Sequence, residues 1–143
     1  MKKKDFADIL WKYFELHSNQ RIQMMNFYLV AISLFFTGLI TLMSSEKDME
    51  VYEIGICIAI IFVTWIFYNL DKRTKLMIKR CEDSIKSLEA EKMKKFGSKI
   101  MIFTIDEEKK EIERELSYSD LFLLLYLFIV VLAVLGLIVI MIM

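Results

Sequence analysis

Seven side chains that carry amide or hydroxyl groups recur three, four or seven residues apart in the first third of the chain. At about 100° per residue, they fall within a sector about 80° wide on one helical face. Such groups hydrogen-bond to water, to ions or to another helix, and hydrocarbon offers them no partner. The spacing therefore predicts a helix with one continuous polar face. We call this set the polar stripe: Asn19, Gln23, Asn26, Ser33, Thr37, Thr41 and Ser44.

A second group with recognisable chemistry lies in the sequence HSNQR. His17 and Arg21 are four residues apart on the helical face opposite the polar stripe, and Gln20 adds an amide between them. These side chains could hold a phosphate or another nucleotide-type signal through charge-assisted hydrogen bonds. The alternative is structural: Arg21 pairs with Asp71 or Asp120 at the membrane border, or extends to a lipid phosphate.

Long apolar segments must position both groups. The chain has 143 residues, of which 57% are apolar, and it contains no proline. A helix needs about 20 residues to cross the hydrocarbon core of a bilayer. Three stretches meet this requirement, namely 23–43, 51–70 and 121–143. We therefore predict an all-α fold with three transmembrane helices, in which long helices extend into a cytoplasmic helical hairpin.

Lysine and arginine are distributed unevenly around these spans. Residues 1–22 hold five of them, residues 44–50 hold one, and residues 71–120 hold thirteen. Loops rich in these residues stay on the cytoplasmic side of a membrane. The distribution predicts a cytoplasmic N-terminus and a cytoplasmic 71–120 segment, with 44–50 as an outer loop and the C-terminus outside.

The segments outside the spans carry helical patterns of their own. Residues 1–22 predict an amphipathic helix, and no Gly or Pro separates it from the first span. The helical pattern of the second span continues beyond residue 71, and Gly97 is its predicted end. Thr104 with Glu107 predicts a capping box that opens the second arm of the hairpin.

Two interpretations of the polar stripe stay open: a seam between packed helices, or the wall of a water-filled pore. Three spans enclose little space, so a pore requires a ring of identical chains, for which four is the working number. Glu53 would add a ring of carboxylates at the outer mouth that favours cations, unless it is only solvated among the headgroups. Gly38 could act as a hinge or as a packing site.

Residues suited to catalysis or metal binding are scarce in this sequence. It has a single His, no Gly-rich phosphate loop and no cluster of Cys with His. Cys57 falls in the second span and Cys81 in the cytoplasmic segment, so no disulfide is expected between them. We predict a protein that is not an enzyme, with no catalytic residues, no metal and no cofactor.

A motif at the entry to the first span combines aromatic and polar residues: Trp11, Tyr13, Phe14, His17, Gln20 and Arg21, followed by Asn26, Phe27 and Tyr28. It resembles the N-terminal part of small multi-pass membrane effectors from bacterial anti-phage operons, and among them it is similar to the membrane effector of the Hailong system. The resemblance implies an oligomeric channel in the bacterial inner membrane. It also implies a nucleotide or oligonucleotide signal from a partner nucleotidyltransferase, which opens the channel and depolarises the cell.

Three functions follow from these alternatives. The leading hypothesis is a gated ion channel, built as a homo-oligomer in contact with membrane lipid, in which the first span lines the pore and the cytoplasmic hairpin controls it. The rival is a membrane-anchored, non-conducting interaction or scaffold protein whose polar stripe is a helix seam. A third is unregulated insertion that disrupts the membrane, which predicts toxicity on expression alone.

Overall fold

A computed structural model describes residues 3–45, 49–96 and 118–142 of the chain, with side chains from 8–45, 49–90 and 118–142. Within these ranges the chain forms three helices: α1 (Lys3–Met43), α2 (Glu50–Phe96) and α3 (Tyr118–Ile142). All three are long and apolar enough to cross a membrane. The predicted all-α fold with three spans is confirmed.

Helix α1 extends over 41 residues and α2 over 47, which is longer than a bilayer requires. Neither segment contains a proline, so no backbone N–H is missing from the helical hydrogen-bond ladder. The end of α1 is closed by the N–H groups of Ser44 and Ser45, which donate to the carbonyls of Ile40 and Leu42 at 3.1 and 2.9 Å. Glu50 and Glu53 place negative charge in the first turn of α2, where the helix dipole favours it.

The chain divides into two compact units, and α1 and α2 each contribute to both. The first, which we call the membrane unit, comprises residues 22–71 and 118–143. Its core joins one face from each of the three helices. The buried members of the main cluster are Met25, Tyr28, Ile32, Ile60, Tyr126, Ile129 and Ala133.

A smaller cluster continues this core in the membrane unit, with buried Leu39, Cys57 and Ile140. Gly136 of α3 faces this cluster, and a Cβ atom at this position would lie at ordinary van der Waals distances, 3.5 Å from the Cys57 sulfur and 3.9 Å from Leu39. The outer face of α3 is lined by exposed apolar side chains, as expected of a helix that contacts lipid.

The second unit, which we call the extramembrane unit, comprises residues 1–21 and 72–117. Among its described residues, Thr74 and Cys81 are buried. Burial raises the pKa of the Cys81 thiol, and the carboxylate of Glu82 raises it further, so the thiol stays protonated and unreactive near neutral pH. The predicted helix end at Gly97 and the predicted capping box at residues 104–107 lie outside the described residues.

Candidate functional site

The polar stripe lies on the outside of the subunit. All seven of its side chains are exposed, six of them in the membrane unit and Asn19 in the extramembrane unit. The core-facing residues of α1, such as Tyr28 and Ile32, lie about 150° away around the helix. Within the described residues the polar stripe therefore takes little part in packing the three helices. Packing between helices of the same chain does not account for the polar stripe.

The hydroxyl groups of the polar stripe are hydrogen-bonded along their own helix. Ser33 donates to the Leu29 carbonyl at 2.7 Å, and Thr37 donates to the Ser33 carbonyl at 2.8 Å. Thr41 and Ser44 repeat this pattern at 2.8 Å each, four residues from their acceptors. Each hydroxyl proton is thus used, while the oxygen keeps acceptor capacity on the exposed side. The wall so formed can accept hydrogen bonds from water or from a neighbouring chain.

Gln23 and Asn26 need more hydrogen-bond partners than the hydroxyl residues do, because each amide carries two donor protons and an acceptor oxygen. Both side chains are exposed in the membrane unit. An amide left in hydrocarbon without partners costs several kcal/mol, on the order of 2–7. This part of the polar stripe must therefore meet water or polar groups of another molecule.

The structure places the two other predicted pore residues within the helix packing. Gly38 lies inside the uninterrupted α1, and a Cβ atom there would lie 3.6 Å from Ile56 of α2. This is an ordinary van der Waals distance, so both roles predicted for Gly38, hinge and packing site, stay predictions. Glu53 is half-buried, one turn before buried Cys57 on the core-facing side of α2. Its role as an outer carboxylate ring also stays a prediction.

The extramembrane unit brings together part of the predicted ligand group. The His17 Nδ1–H donates to Gln20 Oε1 at 3.2 Å, since a carbonyl oxygen can only accept. The Tyr13 ring meets the His17 ring edge to face, with centroids 4.2 Å apart. Arg21 is half-buried one turn further along the same face. The hydrogen bond and the ring contact together orient the imidazole.

A polar contact in the core of the membrane unit was missed from the sequence. The hydroxyl of the fully buried Tyr28 lies 3.1 Å from Thr64 Oγ1. Thr64 uses its own proton on the Ile60 carbonyl at 2.7 Å, so Tyr28 is the donor in this pair. The Tyr28 ring also packs against Phe67 and Tyr126, with centroids 5.3 and 5.0 Å apart. One side chain thus joins all three helices.

We expect Thr64→Val to destabilise the subunit more than Tyr28→Phe. Removing the Tyr28 hydroxyl leaves Thr64 bonded to the Ile60 carbonyl, and the loss is about 0.6 kcal/mol, a typical value for such bonds between membrane helices. Replacing Thr64 instead leaves the buried Tyr28 hydroxyl without its acceptor, which costs about 1–3 kcal/mol.

Thermal unfolding of the purified single and double variants measures this order, and the double variant should recover part of the Thr64→Val loss. An equal or reversed order would contradict the assignment of Tyr28 as the donor and Thr64 as its acceptor.

Comparison with known protein families identifies the group to which the chain is related. The model of the octameric membrane protein family matches residues 4–142, which is nearly the whole chain. The chain belongs to this family. The family confirms a multi-pass membrane protein that works as an oligomer, as the three candidate spans and the outward polar stripe suggested.

A curated relative of this octameric family member is CD-NTase-associated protein 19 from Escherichia coli. It is 31% identical over 115 residues, which cover 79% of this chain and 73% of the relative. Its name associates that protein with a nucleotidyltransferase of the CD-NTase type. No solved structure matches the chain. The narrower similarity to the Hailong-type effector is not confirmed.

Proposed function

We propose that this protein is an effector of anti-phage defence that forms a gated ion channel in the bacterial inner membrane. The observation that carries the proposal is the polar stripe, which stays exposed on a subunit whose family forms octamers. A ring of chains with this face toward its axis would surround the polar groups with water. Opening of the ring would depolarise the cell, and no catalytic step is required.

The subunit number determines what such a ring could conduct. The family's description gives eight chains, whereas four was the working number from the sequence. Four touching helices about 10 Å across would leave a lumen only about 4 Å wide, whereas eight would leave one on the order of 15 Å. We infer the wider ring, in which ions pass with their hydration shells and selectivity depends on charge rather than on size.

A lumen of this width needs a separate means of closure, and we infer that a nucleotide-type signal controls it. The association of the Escherichia coli relative with a nucleotidyltransferase supports such a signal. The orientation predicted from the basic residues places His17, Gln20 and Arg21 in the cytoplasm, where a soluble signal would be made. Arg21 lies one turn from His17, and its guanidinium would donate to a phosphate group.

The second candidate function is a membrane-anchored scaffold that does not conduct. It is favoured by the hydroxyl groups of Ser33, Thr37, Thr41 and Ser44, because each donates to its own helix and so tolerates a dry contact with a neighbouring chain. Gln23 and Asn26 set a condition for it, since a dry contact would have to supply polar groups of the neighbouring chain to both amides.

Ion flux through the purified oligomer separates these functions. The protein is reconstituted into liposomes and planar bilayers. Ion flux is measured with and without small-molecule extract from phage-infected cells that carry the gene for this protein together with its neighbouring genes. We expect current that depends on the extract and discrete conductance steps in the bilayer. A correctly assembled ring that never conducts under either condition would contradict the channel and leave the scaffold.

A further inference from the structure

An open groove of about 500 Å³ lies in the membrane unit, near the C-terminal end of α1 and the N-terminal end of α2. Apolar side chains dominate its walls, which are formed by Leu42, Met49, Val51, Tyr52, Gly55, Ile56 and Ala59. A Cβ atom added at Gly55 would find nothing within 4 Å. Among the described residues, nothing therefore covers the surface over Gly55.

Gly55 and Ala59 are four residues apart and thus neighbours on one face of α2. Small residues at this spacing let a second helix approach closely within a membrane, where van der Waals contact drives association. The groove combines this spacing with open space above it, so its shape suits a helix that carries a branched apolar side chain.

The groove lies beside the polar stripe rather than behind it. Leu42 lines the groove and directly follows Thr41 of the polar stripe. Residues two apart lie about 200° apart around a helix, so Ile40 and Leu42 occupy opposite flanks of α1 with Thr41 between them. If Thr41 faces the axis of a ring, Leu42 faces one neighbouring chain and Ile40 faces the other.

We propose that a second copy of this chain occupies the groove and places its Ile40 over Gly55. The proposal rests on the proposed ring, in which the polar stripe faces the axis. Ile40 is a large apolar side chain that is 63% exposed in the subunit. It lies only about 3 Å along the helix from Leu42, so it reaches the depth of the groove in a ring of parallel copies.

This contact is heterologous, because it joins two different surfaces of identical chains, and repetition around an axis closes a ring. A single subunit contributes only one polar stripe, and in the proposed ring this contact would join neighbouring polar stripes into a wall. Each polar stripe is bordered on one side by its own groove and on the other by the Ile40 that fills the next groove. A lipid chain in the groove would satisfy its apolar walls but would leave adjacent polar stripes unjoined.

Cysteine cross-linking tests the contact in the full chain. Cys57 and Cys81 are replaced by alanine, and Ile40→Cys is combined with Gly55→Cys, a position where the subunit has room for the new side chain. Oxidation of membranes should give a ladder of covalent multimers. The matched control combines Gly55→Cys with Ile138→Cys, an exposed position on α3 close to Ile140, which packs with Leu39 and Cys57; it should stay monomeric on a denaturing gel.

A second variant tests the groove without cross-linking. Gly55→Leu fills the space needed by the neighbouring chain, so we expect loss of the octamer in native mass spectrometry with unchanged helical content by circular dichroism. An intact octamer with Gly55→Leu, or a ladder absent from the Ile40/Gly55 pair or equal in the control, would overturn the contact. A specific ladder from an oligomer that does not conduct would preserve the contact and reject the proposed channel instead.

Discussion

If the protein is the proposed channel, Thr37→Lys and Thr37→Glu should shift its ion selectivity in opposite directions while the oligomer persists. Thr37 is exposed in the polar stripe, and a water-filled lumen would solvate a charge at this position. A lumen about 15 Å wide has a radius close to the Debye length of about 10 Å at 0.1 M salt, so a ring of charges acts across its whole width.

We expect the ratio of anion to cation permeability to differ at least about tenfold between the two variants at 0.1 M KCl. The reversal potential across a salt gradient measures it. At 1 M salt the Debye length falls to about 3 Å, and the difference should shrink because charges at the wall no longer reach the axis.

The control for this prediction places the same charge on the lipid side. Leu135 is an exposed apolar residue of α3, and Leu135→Lys places an ammonium group against hydrocarbon at a cost of about 3 kcal/mol. Its membrane insertion or assembly should fall, whereas that of Thr37→Lys should not. If Thr37→Lys instead abolishes assembly as strongly as Leu135→Lys, the polar stripe is a dry contact between chains.

Tyr28→Ala should destabilise the subunit more than any other truncation in the first span. The side chain is fully buried, and its ring packs against Phe67 of α2 and Tyr126 of α3. Truncating a buried aromatic residue leaves a cavity and costs about 3 kcal/mol or more. For a chain of this size, that loss lowers the midpoint of thermal unfolding by about 10 °C.

The neighbouring residue provides the matched control. Phe27 is 69% exposed, so Phe27→Ala removes a similar ring from the surface of the subunit and should change the unfolding midpoint little. Thermal unfolding of both variants in the same detergent measures the difference. Equal losses for Phe27→Ala and Tyr28→Ala would mean that the three-helix core is not organised around Tyr28.

Much of the fold followed from local features of the chain. The apolar runs and the absence of proline predict long helices, because a backbone in hydrocarbon must satisfy its hydrogen bonds within the helix. The phase of the polar stripe was equally predictable, since the helical repeat alone determines which side chains share a face. This is why residues as far apart as Gln23 and Ser44 could be grouped without a structure.

Contacts between helices were not predictable in the same way. Tyr28 and Thr64 are 36 residues apart, and the sequence contains no signal that pairs them across α1 and α2. Gly38 was equally compatible with a hinge and a packing site, and its position near Ile56 was not predictable from the sequence. Lipid is as apolar as a leucine side chain, so hydropathy does not distinguish a residue that faces lipid from one that faces a neighbouring helix.

The sequence by itself determined three membrane-spanning helices and a polar face along the first, because both depend only on composition and helical period. The tertiary structure alone decided that this face points out of the subunit, that Tyr28 joins the three helices, and that no described residue covers the surface over Gly55. These features depend on how α1, α2 and α3 pack, and packing is set by the shapes of side chains distant in sequence.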